Sequence, residues 1–146
     1  MITGIEISKV EANRFLKDPI YNMKFGIGFD DVEVKNENVH VKFVFTTNYE
    51  PEPSAKKQDS SLVGELKVHG TIISRESKTD LEGIRQEWAT KKTLPLKFAE
   101  DIVNVINMQC SAVGTLVAYS IGFAAPIPIS RAKLEASATQ KPAGAV

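Results

Sequence analysis

With eighteen Lys and Arg cancelled by eighteen Asp and Glu over 146 residues, the chain offers no general electrostatic attraction to nucleic acid, which such binders draw from clustered basic side chains. That length suits one domain with a self-sufficient core. A single cysteine, Cys110, excludes an internal disulfide and a cysteine-rich zinc site.

The first half of the chain reads as strands. Ile5, Ile7 and Val10 to Ala12 form the first, with Phe15 and Leu16 at its far end and a short connection over residues 17–22 through Asp18-Pro19. Met23, Phe25, Ile27 and Phe29 then alternate with Lys24, Gly26, Gly28 and Asp30, the period of a half-buried strand. The parity changes after Asp30-Asp31, because Val32 and Val34 are even-numbered, and this predicts a bulge. Lys35 to Asn38 is a turn. Val39, Val41, Phe43, Phe45, Thr47 and Tyr49 make the clearest strand, and residues 50–60 a solvated hairpin loop. A fourth strand runs from Leu62 to Ser74. Four strands with short links predict an antiparallel meander with one face for a helix layer.

Leu81, Ile84 and Trp88 are spaced for a short helix starting near Thr79, with Thr79 or Asp80 as its cap. Lys91 to Leu94 breaks it. Pro95 suits a first helical turn, and the next proline is Pro126, so a helix of about 24 residues, roughly 36 Å long, is expected from Pro95 to Ser120. From Ile102 to Ser130 no residue is charged. Two apolar stripes run along this helix. One is Leu96, Ala99, Val103, Ile106, Cys110, Val113 and Val117; the other is Phe98, Ile102, Val105, Ala112, Leu116 and Tyr119. A surface helix needs only one. The sheet can cover one stripe, and a second subunit is the economical cover for the other, with Val103, Ile106, Cys110, Val113, Leu116 and Val117 as candidate oligomer-interface residues. Cys110, on a stripe, reads as a small core residue rather than a reactive thiol.

The helix is also long enough to cross a bilayer. Asn104, Asn107, Gln109, Ser111, Thr115 and Ser120 would be costly there, so no membrane span is expected. Met1 to Gly4 has no basic region before an apolar run, which points to no signal peptide and a cytoplasmic protein. Pro126 and Pro128 hold residues 123–129 extended, Arg131 to Glu135 has room for one turn, and residues 136–146 have the composition of a disordered tail. The expected domain spans residues 1–135.

Chemistry-bearing constellations are sparse. His40 and His69 lie on neighbouring strands. A register in which their numbers sum to 109 sets them opposite each other, whereas a sum of 107 pairs Lys42 with Glu65. Even facing each other they supply two nitrogens, fewer than usual zinc sites use. Asp30, Asp31 and Glu33 lack the spacing and glycine of a calcium loop. Without a phosphate loop, nucleophile elbow or His-Glu-x-x-His pattern, no catalytic residues, metal or cofactor are expected.

Leu94-Pro95-Leu96-Lys97-Phe98-Ala99-Glu100 at the helix start, and Gly122-Phe123-Ala124-Ala125-Pro126-Ile127-Pro128 after its end, resemble the SecB family of protein-export chaperones. With the strand and helix order, the resemblance covers roughly residues 5–130. It implies an α+β fold assembled as a dimer of dimers, with long helices packed between dimers and strands contributing to the dimer interface. It also implies apolar grooves that hold unfolded or nascent polypeptides without ATP. Phe15, Ile20, Tyr21, Met23, Phe25, Phe123, Ile127 and Ile129 meet the description of such a groove by position, being apolar residues next to irregular segments. The short Ser130 to Glu135 segment and the tail depart from the family's second helix and its tail for the SecA motor, which leaves delivery to that motor open. A structural or adaptor oligomer with a fixed partner, and a small-ligand binder with a closed polar pocket, are the other readings.

Overall fold

In a computed structural model of the chain, residues 1–53 and 62–126 are described. Four strands, β1 (Ile2–Arg14), β2 (Asn22–Lys35), β3 (Asn38–Glu50) and β4 (Gly64–Arg75), precede two helices, α1 (Lys78–Lys91) and α2 (Leu96–Ser120). They build the expected α+β architecture, a four-stranded antiparallel sheet with the long helix against it. The meander holds for β2, β3 and β4. The first strand departs from it, lying beside β4, so the order is β1-β4-β3-β2, a Greek-key arrangement.

Burial explains the order. The core-facing residues Val39, Val41, Phe43 and Phe45 of β3 and Leu66, Val68 and Ile72 of β4 are almost wholly removed from water, so these strands take the middle. β1 completes the apolar face from one side, setting Ile5 against Ile72, Val10 against Val68 and Ala12 against Leu66. A register shift between Ile7 and Lys9 leaves Ser8 unpaired, and the apolar positions change from odd to even there. The bulge expected near Asp30 is present, as a shift between Phe29 and Asp31. Both edge strands thus carry a kink, a common means of discouraging indiscriminate edge pairing.

The β3–β4 register matches neither of the two considered from sequence. His40 faces Ile73, Lys42 faces Thr71 and Val44 faces His69. The last pair is Tyr49 with Gly64, and Val63 N–H donates to the Tyr49 carbonyl at 2.8 Å. The connecting loop's residues 54–61 lie outside the described residues.

α1 is capped by Ser77, not by Thr79 or Asp80. Its hydroxyl accepts from the Asp80 N–H at 3.2 Å and donates to the Asp80 carboxylate at 2.8 Å, a local satisfaction of a helix N-terminus. The helix ends at Lys92, in the left-handed region at φ 55°, with its ammonium 5.3 Å from the Trp88 ring centre. Leu81 and Ile84 are its buried residues. Pro95 stands just outside α2, at φ −51° and ψ 136°, and its carbonyl accepts from Ala99 N–H at 2.8 Å. α2 then runs 25 residues across β4, β1 and β3. Leu66 of β4 lies so close under Gly114 that a Cβ there would come within 3.2 Å of it.

Candidate functional site

The features of interest gather at one end of the sheet, where the β1–β2 crossover meets the exit of α2. Residues 15–21 pass over the ends of β4 and β3 to reach the far edge. Phe15 and Leu16 N–H groups both donate to the Val63 carbonyl, at 2.8 and 3.2 Å, and Tyr21 N–H donates to the Glu50 carbonyl at 2.8 Å. The crossover is therefore held at both ends, with Phe15 and Tyr21 turned to solvent and Ile20 packed partly on the core. Phe15 is 56% and Tyr21 66% exposed; Ile20 and Met23 are half-buried.

The chain leaves α2 through a glycine turn. Gly122 takes φ +74°, Phe123 N–H reaches back to the Ala118 carbonyl at 2.8 Å and Gly122 N–H to that of Tyr119 at 3.3 Å, the paired bonds of a Schellman motif. That turn sends Phe123 inward. Its ring lies 4.3 Å from the Tyr49 ring, centre to centre, and on the backbone of Gly64, where a Cβ would stand 2.0 Å from a ring carbon. Tyr49 Oη donates to the Ala124 carbonyl at 2.9 Å. Burial pushes the Tyr49 phenol up to about 12.

Two residues expected to line a groove are thus core residues. Phe123 is 3% exposed; Phe25, on the helix-covered face opposite Thr47, is 6% exposed and tilts against the Phe45 ring. Ile127 and Ile129 lie outside the described residues, as do the expected terminal turn and tail. Of the eight, Phe15 and Tyr21 are exposed, while Ile20 and Met23 are half-buried and pack on the edge of the core. Sequence carried a signal for Phe123, since a glycine after a helix followed by an apolar residue is the pattern that folds that residue back onto the last turn.

The helix stripes need a similar correction. Val103, Ile106 and Cys110 are buried by the chain's own sheet, with Val103 against Ile27 and Phe29, and burial pushes the Cys110 thiol up to about 12. Val113 and Val117 are half-buried. Only Leu116 of the six is largely exposed, at 78%. It belongs to a line comprising half-buried Val105, which also packs on the core, and exposed Met108, Ala112, Leu116 and Tyr119; Met108, absent from the second stripe as read, fills that stripe's step from Val105 to Ala112 at the same three-and-four spacing. Asn107 and Ser111, two of the polar residues that argue against a membrane span, are buried, and their side-chain oxygens have no hydrogen-bond partner among the described residues. The helix therefore exposes much of its apolar surface and hides part of its polar surface.

The sheet face away from α2 is polar. Lys9, Glu11, Lys67 and His69 cluster there, and the Lys9 ammonium beside Glu11 is the main reason that its carboxyl is lowered. His40 faces Glu33 and Asp31 faces Lys42 across β2 and β3. Gly26 and Gly28 leave open space above the backbone.

Comparison with protein-family models and with curated proteins gives no match.

Proposed function

We propose that this chain is a cytoplasmic, ATP-independent holdase of SecB type that binds unfolded or nascent polypeptides as a homo-oligomer. The observation that carries the reading is the crossover: two aromatic side chains, Phe15 and Tyr21, held in water on a backbone pinned at both ends. Exposed aromatics are costly unless something covers them. A pinned backbone offers that apolar area without losing loop entropy on binding. Unfolded clients, extended and rich in mixed apolar side chains, fit such a surface.

Assembly is supported by the outward line of α2. Val105, Met108, Ala112, Leu116 and Tyr119 are symmetric about Ala112, with steps of seven and four on either side. An antiparallel helix pair crossing at Ala112 would set Met108 against the partner's Leu116 and Val105 against the partner's Tyr119. The small residue falls where the helices approach most closely. Such a contact is self-complementary, as a two-fold interface requires, and meets no charge between Ile102 and Ser120.

The test is suppression of aggregation of a slowly refolding substrate, without nucleotide, by wild type and by Phe15→Ser and Tyr21→Ser. Wild type should protect at molar excess and both variants should protect less while remaining folded and assembled. A wild type that leaves aggregation untouched removes the holdase, and the fixed-partner adaptor becomes the better account of the same exposed surface.

A further inference from the structure

Arg14, the last residue of β1, joins two segments far apart in the chain. Its Nε donates to the Leu16 carbonyl at 2.9 Å and its Nη2 to that of Asp18 at 3.3 Å, both in the crossover. Its Nη1 donates to the carbonyls of Ile121 and Gly122, each at 3.4 Å, at the exit of α2. The guanidinium carbon also lies 5.3 Å from the centre of the Phe123 ring. Among the described residues these four hydrogen bonds all go to carbonyl oxygens. A planar fork of five donors can serve several acceptors in different directions; a lysine ammonium on a flexible stem cannot hold the same spread. Ile121 caps the C-terminal end of α2, the negative end of the helix, near which a cation is favoured.

The other crossover bonds to the sheet come from Phe15, Leu16 and Tyr21, at its two ends. Asp18, in the middle, is held by Arg14. Gly122 supplies the turn through its positive φ; a Cβ there would stand 3.4 Å from the Arg14 Nη1, an ordinary contact.

We infer that Arg14 is the positioning residue of the polypeptide-binding surface: by tying the crossover bearing Phe15, Ile20 and Tyr21 to the exit of α2, it fixes where that surface stands for a client. This rests on reading that surface as a client site. Removing the fork leaves the sheet core untouched but lets the two segments move independently.

The experiment uses the full chain with Arg14→Lys and Arg14→Met. Amide hydrogen exchange is followed at residues 16–21 and 121–125 and, for comparison, in β3. Affinity is measured for fluorescently labelled, reduced and carboxymethylated α-lactalbumin as a permanently unfolded probe. Both variants should exchange about tenfold faster in the two segments and at the wild-type rate in β3, and bind the probe about tenfold more weakly. Phe15→Ser should cost less affinity in the Arg14→Lys background than in wild type, a coupling that a merely structural role would not produce. Unchanged exchange, equal acceleration in β3, or undiminished affinity would each overturn the assignment. A wild type that fails to bind the probe overturns the client reading itself, and the exchange arm then still decides whether Arg14 ties the two segments together.

Discussion

Tyr49 and Cys110 are both wholly buried, and each is held in its neutral form by desolvation. The unfolded chain releases those protons near the ordinary values of 10.0 and 9.0, the folded chain only near about 12. Between these limits the unfolded state binds fewer protons than the folded one, so stability falls as pH rises. Urea unfolding should show full stability below pH 9 and progressive loss from pH 9 to about 12. Cys110→Ala should remove the earliest part of that loss and Tyr49→Phe the later part; a flat profile across that range would mean that neither group is desolvated. Burial of this kind was half legible at the residue scale. Cys110 on an apolar stripe reads as core from spacing alone. For Phe25 the alternation of β2 gives the apolar parity, and for Phe123 the preceding glycine marks a fold-back, but neither pattern says whether the face so chosen is covered. Gly64 makes the same point from below: its missing side chain is what lets the Phe123 ring settle on the backbone, and no local pattern announces such a pairing.

At the scale of elements, strands and helices were legible to within a few residues because their apolar periods are strong. Their mutual placement was less so. The bulge at Asp30 showed itself as a change of parity, while the one at Ser8 sits in a strand where polar residues on both parities blur it. Strand order followed a global criterion, the burial of β3 and β4 on the helix side, that a short link from β1 to β2 conceals. The long helix is the element whose two stripes were found and whose roles were misassigned. Its inward side and its outward side now make different predictions. Ile106→Asp places a charge in the helix–sheet core and should unfold the chain, since a buried unpaired charge costs several kcal/mol. Leu116→Asp and Met108→Asp sit on the exposed line and should leave circular dichroism and the thermal midpoint nearly as in wild type while lowering the sedimenting mass. If both exposed variants sediment as wild type does, the outward line is not the subunit contact.

As a whole molecule, the chain is one sheet with a helix-covered face, an opposite face of mixed charge, and exposed apolar groups concentrated on the crossover and along α2. Its net charge is zero, so long-range attraction contributes little to what it binds. Affinity should come from apolar area, at about 25 cal/mol per Å² removed from water. The most direct measurement is the binding of one polypeptide in its unfolded and its native form, without nucleotide, at low and high salt. The expected result is at least a tenfold preference for the unfolded form and an affinity that changes little between about 0.05 and about 0.5 M salt, where an exposed ionic contact would be strongly screened. Equal binding of native and unfolded forms, no binding of either, or an affinity that collapses with salt would contradict it.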